Sequence, residues 1–148
     1  MRLPRIYAAY GSNLNHEQMA RRCPNAEFIG TGFLQNYRLV FRRVADIEYA
    51  EDHKTPIGLW RVTDQCVKSL DSYEGFPRLY GRNKCQIYRG AGKYTEAFIY
   101  FMNAEGYEMP FGGYLNSIVD GYYNCGLNPA YIREALTFTE ESSFLQPA

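Results

Sequence analysis

The sequence predicts an α+β fold in which a mixed or barrel-like sheet carries α-helices on its outside. Many strand-like segments are interspersed with helical ones, without the strict β-α-β rhythm of a parallel sheet. The chain also has 14 tyrosines among its 148 residues. Because a buried phenol needs a hydrogen-bond partner, so many of them indicate a sheet or barrel with a polar-lined pocket.

The strands are predicted from alternating patterns bounded by turn residues. The stretch 27–44 is expected to contain two strands, broken around Gln35 and Asn36. An antiparallel pair is expected on either side of the turn-rich stretch 90–93. The predicted strands lie at 5–10, within 27–44, and at 56–62, 81–89 and 94–102.

Four helices are predicted from residues that cap or stop a helix. The first and last begin with asparagine caps, and the middle two end at glycines. The signals are Asn15 and Pro24 for the first helix, Thr63 or Asp64 and Gly75 for the second, 113–125 with Gly126 for the third, and Asn128-Pro129 for the last.

The composition indicates a folded protein, with 46% hydrophobic and 22% charged residues. The length suits a single domain over residues 1–148. The formal net charge is zero, which argues against a protein that tracks nucleic-acid phosphates. We expect the arginine doublets at Arg21-Arg22 and Arg42-Arg43 to be solvated surface.

No apolar run approaches the roughly 20 residues that cross a bilayer, and the N-terminus lacks the apolar stretch of a signal peptide. We therefore expect a cytoplasmic protein without a membrane partner. The four cysteines are far apart and form no C-x-x-C pair. We expect four reduced thiols, and we expect no metal and no cofactor.

A carboxylate occupies an unusual place in the second predicted helix. At about 100° per residue, an apolar stripe runs through Cys66, Val67 and Leu70, and Glu74 falls within it. One interpretation is that Glu74 lies in a fraying last turn and reaches water. The other is a partly buried carboxyl with a raised pKa that acts as general base and acid.

A small-residue segment follows the first predicted strand, Tyr10-Gly11-Ser12-Asn13-Leu14. Turn chemistry alone would explain it. Backbone N–H groups at such a turn can also hold an anion or a developing oxyanion, and a glycine lets a ligand approach the main chain. One base and one such turn would suit an acyl transfer in which the substrate carries its own nucleophile.

Several motifs, in order along the chain, resemble those of the γ-glutamylcyclotransferase-like family. The resemblance covers about residues 6–136. The motifs are Tyr10-Gly11-Ser12-Asn13-Leu14, Tyr37-Arg38-Leu39-Val40-Phe41, Gly58-Leu59-Trp60, Leu70-Asp71-Ser72-Tyr73-Glu74-Gly75 followed by Tyr80, Phe98-Ile99-Tyr100-Phe101-Met102, and the stretch from Tyr114 to Tyr131.

The resemblance implies a small closed mixed β-barrel with flanking α-helices, and a γ-glutamyl compound as small-molecule substrate. The products would be 5-oxoproline and a free amine or amino acid, with no metal involved. Glu74 matches the family's general acid/base. The resemblance assigns substrate binding to Tyr10, Gly11, Ser12, Asn13, Leu14, Tyr80 and Tyr100. We expect a monomer or a weak homodimer.

Two alternatives remain at this stage. A hydrolase could use Ser12 as nucleophile, although the glycine pattern of a nucleophile elbow is incomplete and His16 is expected at the surface. A barrel could also bind a small ligand without turnover. The leaving group stays open between an amino acid, a lysine side-chain amine, glutathione and an antibiotic. The stretches 45–55 and 103–113 are expected to be loops that could set this choice.

Overall fold

Five strands close into a barrel in the computed structural model, which describes residues 3–145, the last two as backbone only. They are β1 (Ile6–Ala9), β2 (Glu27–Arg42), β3 (Val44–Arg61), β4 (Tyr80–Gly90) and β5 (Lys93–Met102). Their order around the barrel is β1-β3-β2-β4-β5. Four contacts between strands are antiparallel, and a parallel contact between β1 and β5 closes the barrel. The predicted closed mixed barrel is thus confirmed.

Four helices flank the barrel, as predicted: α1 (His16–Arg22), α2 (Asp64–Glu74), α3 (Gly112–Cys125) and α4 (Ala130–Leu145). A single 3₁₀ turn, Ser12–Leu14, joins β1 to α1. Within residues 3–145, no helix is long and apolar enough to span a bilayer. The assignment of the whole chain to one domain stays a prediction.

The predicted caps and stops hold because each depends on local chemistry. The side chains of Asn15 and Thr63 accept hydrogen bonds from backbone N–H groups in the first turns of α1 and α2, at 3.0 and 3.2 Å. Gly75 and Gly126 end α2 and α3 in the left-handed conformation, with φ of 67° and 70°. These local rules fix where α2 stops, and therefore where Glu74 lies.

The prediction of a loop at 45–55 is wrong, because this segment belongs to β3 and pairs with β2 at 45–49 and again from 54 onward. Its charged composition reflects exposure at 51–54 and not an irregular backbone. The expected break near Asn36 is a register shift inside one continuous strand. There Asn36 has a φ of 64°, and its side chain accepts a hydrogen bond from the Asp52 N–H at 3.2 Å.

The expectation of a solvated Arg42 is also wrong. Its side chain is only 11% exposed and pairs with Asp46 and Glu48 at 2.7 and 3.2 Å. Its neighbour Arg43 occupies the β2–β3 turn with a φ of 73° and is exposed, as expected. The two residues differ because Arg42 is the last residue of β2 and pairs with Asp46 and Glu48 on β3, whereas Arg43 lies in the turn between the strands.

Helix α3 packs directly against the 3₁₀ turn that follows β1. Its Gly121 is buried, and a Cβ at this position would lie 2.8 Å from the Leu14 carbonyl carbon and the Asn15 nitrogen. Backbone atoms cannot move aside as a flexible side chain can. The position therefore requires glycine for close approach between helix and turn.

We expect Gly121→Ala to destabilise the protein by about 1–3 kcal/mol, because the added methyl group forces α3 away from the turn. Gly112→Ala is the matched control, since a Cβ there meets nothing within 4 Å. Thermal unfolding should show a melting temperature several degrees lower for the first variant and unchanged for the second. Equal melting temperatures for the two variants would contradict the proposed contact.

Candidate active site

A cavity of about 270 Å³ opens where the 3₁₀ turn, the end of α2 and the strands β4 and β5 converge. Seven of the eight predicted site residues line it: Tyr10, Gly11, Ser12, Asn13, Glu74, Tyr80 and Tyr100. The eighth, Leu14, is completely buried and is not among the lining residues. Its backbone N–H already donates to the Gly11 carbonyl at 3.0 Å. The structure therefore brings the predicted residues together, with the exception of Leu14.

Glu74 is the last residue of α2, and its carboxyl is largely buried in the cavity wall. Burial raises the pKa of this carboxyl to about 7, against an opposing effect of the Arg22 guanidinium. The interpretation of a solvated carboxylate in a fraying turn does not fit this environment. A carboxyl with such a pKa can exchange protons at neutral pH.

The 3₁₀ turn presents main chain to the cavity at Gly11. A Cβ on Gly11 would lie 3.2 Å from the Ala45 Cβ and 3.3 Å from the Tyr114 hydroxyl, so a side chain would crowd the cavity wall. This crowding accounts for a residue without a side chain at position 11. The first N–H groups of a helical turn have no partner within that turn, so they are available to an anionic ligand.

Asn13 fixes this turn through both ends of its side chain. Its Nδ2 donates to the Tyr7 hydroxyl at 3.0 Å, and its Oδ1 accepts from Arg22. Its backbone carbonyl accepts from the indole N–H of Trp60 at 3.1 Å. Because its side chain and carbonyl are engaged within the protein, Asn13 shapes the cavity wall, and a ligand contact by this residue would be left to its backbone N–H.

The tyrosines of the cavity are held by a separate set of hydrogen bonds. The Tyr10 hydroxyl donates to the Tyr100 carbonyl at 2.8 Å, and the Tyr100 hydroxyl donates to Asp71 at 2.6 Å. Asp71 also pairs with Arg82. Burial raises the pKa of Tyr10, Tyr80 and Tyr100 above the ordinary phenol range, so these phenols remain neutral at physiological pH.

Sequence reasoning missed six lining residues: Tyr7, Val44, Ala45, Tyr73, Leu79 and Tyr114. The Tyr114 hydroxyl accepts from the Ala45 N–H at 2.9 Å, which ties α3 to the start of β3. Ala45 begins the segment 45–55 that was expected to contact the leaving group. The other predicted loop, 103–113, contributes none of the lining residues found in the described chain.

The surroundings of Ser12 give no support to the hydrolase alternative. Its hydroxyl lies 3.4 Å from the Tyr73 hydroxyl. The ring of His16 packs against Phe28 and Trp60, with ring centroids 4.7 and 5.0 Å away. The expected surface position of His16 holds only in part, because one side of its ring packs against these aromatic residues while the residue keeps intermediate exposure. No hydrogen bond between Ser12 and a histidine is found among residues 3–145.

The described residues contain no group of three or more His, Cys, Asp or Glu side chains that could hold a metal ion. Cys23 and Cys66 are buried free thiols, and Cys85 and Cys125 are partly buried ones.

Comparisons with known proteins agree with the fold and show the family. The family model described as gamma-glutamyl cyclotransferase, AIG2-like, matches residues 7–123. A Methanocaldococcus jannaschii protein provisionally named gamma-glutamylcyclotransferase MJ1514 is 30% identical over 89 residues, which are 59% of this chain and 72% of that protein.

Two solved structures are similar in fold over nearly the whole chain. One is a gamma-glutamyl cyclotransferase and the other is the uncharacterized human protein loc79017. Each aligns with a TM-score of 0.77 at 24% identity, over 97% of this chain and 88% of its own. At this identity the likeness concerns the fold.

Glu74 is expected to lower the stability of the protein when it ionises. Its folded-state pKa of about 7 lies above the reference value of 4.5, so protonation favours the folded state. The contribution of the neutral carboxyl to the free energy of unfolding is fully present below pH 4.5 and is lost as the pH rises through 7. Above that pH, Glu74→Gln should be more stable than the wild type by up to about 3 kcal/mol.

Thermal unfolding from pH 4.5 to pH 8.5 measures this difference, with Glu17→Gln as an exposed control on α1. The Glu74→Gln advantage should disappear at the acid end, while the control follows the wild type throughout. A constant difference between Glu74→Gln and wild type at every pH would show that Glu74 titrates normally.

Proposed function

The chain belongs to the γ-glutamyl cyclotransferase (AIG2-like) family, and we propose that it converts a γ-glutamyl compound to 5-oxoproline and a free amine or amino acid. The observation that carries this proposal is the buried Glu74 carboxyl, which has a pKa of about 7 and lines one cavity with the turn at 11–13. A general base is most effective when its pKa lies near the working pH.

The proposed reaction is an internal acyl transfer. Glu74 takes a proton from the substrate α-ammonium, and the resulting amine attacks the γ-carbonyl carbon of the same molecule. A new C–N bond closes the five-membered ring, and the bond from the γ-carbonyl carbon to the leaving nitrogen breaks. Glu74 gives its proton to that nitrogen. The attacking nitrogen, now bonded to the carbonyl carbon, releases its second proton to Glu74, which passes it to the departing amine or to solvent. Because the substrate carries its own nucleophile, the enzyme mainly folds it into an attacking conformer.

The backbone of Gly11, Ser12 and Asn13 supplies the second half of the proposed site. Its N–H groups would hold either the substrate α-carboxylate or the oxyanion that forms on the γ-carbonyl. The Leu14 N–H already donates to the Gly11 carbonyl, so Leu14 is not part of the proposed binding site. The neutral phenols of Tyr10 and Tyr80 line the walls without adding charge.

The leaving group would emerge where the cavity wall is most exposed. Tyr73 and Leu79 are the exposed large apolar residues in the lining, whereas Tyr10, Ser12 and Asn13 are buried. We place the γ-glutamyl part against the buried side and the departing amine near Tyr73 and Leu79. The reaction as written needs no metal or cofactor, and metal independence stays a prediction, as does the lack of nucleic-acid and membrane partners.

The activity is tested by a panel of γ-glutamyl compounds that differ only in the departing amine, with detection of 5-oxoproline. We expect Glu74→Gln to slow the reaction by about 10²–10⁴-fold because the general base is lost, and Glu17→Gln to leave it unchanged. A folded Glu74→Gln variant that keeps the wild-type rate would remove Glu74 from the mechanism. If no compound of the panel releases 5-oxoproline with wild-type protein, a binding role replaces the proposed activity.

The role of Ser12 separates cyclisation from hydrolysis through an acyl-enzyme. We expect Ser12→Ala to bind more weakly or react more slowly, while turnover persists, because the substrate amine is the nucleophile. Mass spectrometry of wild-type protein after rapid quenching with substrate should show no added mass. An adduct on Ser12, together with an inactive Ser12→Ala variant, would establish the hydrolase mechanism instead.

A further inference from the structure

Arg22 differs from its neighbour Arg21 in ways that its expected surface position does not explain. The Arg21 side chain is 66% exposed and pairs with Glu17, one turn earlier on the same helix, at 3.1 Å. Arg22 is partly buried and points its guanidinium toward the candidate active site. The two residues are adjacent on α1 and carry the same charge, so the difference lies in what they contact.

The guanidinium of Arg22 contacts the site from two directions. Its central carbon lies 3.6 Å from the centroid of the Tyr73 ring, and its Nη1 donates to the side-chain carbonyl of Asn13. A planar guanidinium can stack with its face and donate from its edge at the same time. Arg22 therefore joins the end of α2 to the turn after β1.

Each of these partners reaches further into the cavity. Asn13 donates to the Tyr7 hydroxyl at 3.0 Å, and the Tyr73 and Ser12 hydroxyls lie 3.4 Å apart. Tyr73 immediately precedes Glu74, so a side chain that holds Tyr73 also restrains the last turn of α2. Both halves of the site are thus fastened to one guanidinium that does not itself line the cavity.

We propose that Arg22 is a positioning residue that holds the Gly11–Asn13 backbone and the Glu74 carboxyl in reactive register and supplies the positive charge that acts on this carboxyl. This role rests on the proposed cyclotransferase function for its catalytic part. Its electrostatic part concerns the folded protein alone and can be tested without any substrate.

The electrostatic part follows from the groups that face Glu74. They are the phenols of Tyr7 from β1, Tyr10 directly after β1, Tyr80 from β4 and Tyr114 from α3, all with raised pKa values and therefore neutral. Among residues 3–145, the Arg22 guanidinium is the charged group that opposes the effect of burial on the pKa of Glu74. Without it, the carboxyl would remain protonated to a higher pH, and a smaller fraction of the protein would be ionised and able to accept the substrate proton at neutral pH.

The test compares Arg22→Met, Arg22→Lys and the matched control Arg21→Met. The Glu74 midpoint is measured by NMR of carboxyl-labelled glutamate, with the signal assigned from Glu74→Gln. We expect Arg22→Met to raise the midpoint by roughly 1 pH unit, and the acid limb of kcat/KM to shift with it. Arg21→Met, which removes the same charge from the same helix, should shift neither.

The positioning role predicts a further loss of kcat, which a positive charge at position 22 does not restore by itself. We expect Arg22→Met to lower kcat by about 10- to 100-fold at the pH optimum, because small misplacements of reacting groups are costly. Arg22→Lys should return the Glu74 midpoint toward the wild-type value but recover kcat only in part, since an ammonium cannot stack and fork in the same way. Where Arg22→Met fails to fold, Arg22→Gln removes the charge and retains a donor for Asn13.

The outcomes separate this proposal from the proposed function. If the wild type releases no 5-oxoproline, the cyclotransferase assignment fails, and the NMR midpoints still decide the role of Arg22. An unchanged Glu74 midpoint in folded Arg22→Met or Arg22→Gln overturns the proposal, as does an equal shift in Arg21→Met. Full recovery of kcat in Arg22→Lys would overturn the positioning part.

Discussion

The candidate site depends on the contact that closes the barrel between β1 and β5. These strands meet in parallel at Tyr7 and Phe98, whose rings stack at 5.5 Å. Just beyond this pair, the Tyr10 hydroxyl reaches the Tyr100 carbonyl. Closure therefore sets the residues after β1 against the wall of β5. Because Gly11–Asn13 follow immediately, the same contact decides where the backbone N–H groups of the turn point.

Around this closure, the polar groups fall into two sets with different tasks. One set is fully engaged within the protein: Asn13 between Tyr7 and Arg22, and Asp71 between Tyr100 and Arg82. Such groups fix geometry because any movement would leave a buried polar atom unpaired. The other set belongs to the residues that line the cavity, and it includes the Glu74 carboxyl and, in the proposed function, the first N–H groups of the 3₁₀ turn. Rigid surroundings let a few unengaged groups act on a ligand.

The sequence allowed the prediction of features that depend on neighbours along the chain. The caps at Asn15 and Thr63 and the stop at Gly75 follow from local hydrogen bonding, and the helical period placed Glu74 on the inward face of α2. The predictions of a loop at 45–55 and of a solvated Arg42 were wrong. The expected surface positions of Arg22 and His16 hold only in part, because the sequence pattern does not show which distant residues these side chains contact. A strand rich in charged residues has the composition of a loop. An arginine that contacts residues distant in sequence cannot be told from an exposed arginine by its neighbours along the chain. Leu14 was assigned to substrate binding because it belongs to the motif of the turn, although its side chain packs in the core.

The packing of the 3₁₀ turn has a consequence for the intrinsic fluorescence of the protein. Trp60 is the single tryptophan of the chain, and its buried indole N–H donates to the Asn13 carbonyl within the turn. Indole emission responds to the polarity and hydrogen bonding of its surroundings, and it can be excited apart from the 14 tyrosines. A ligand that settles on the turn or displaces it would alter this one fluorophore. The protein thus carries an intrinsic reporter of occupancy, bonded to the main chain of its own candidate site.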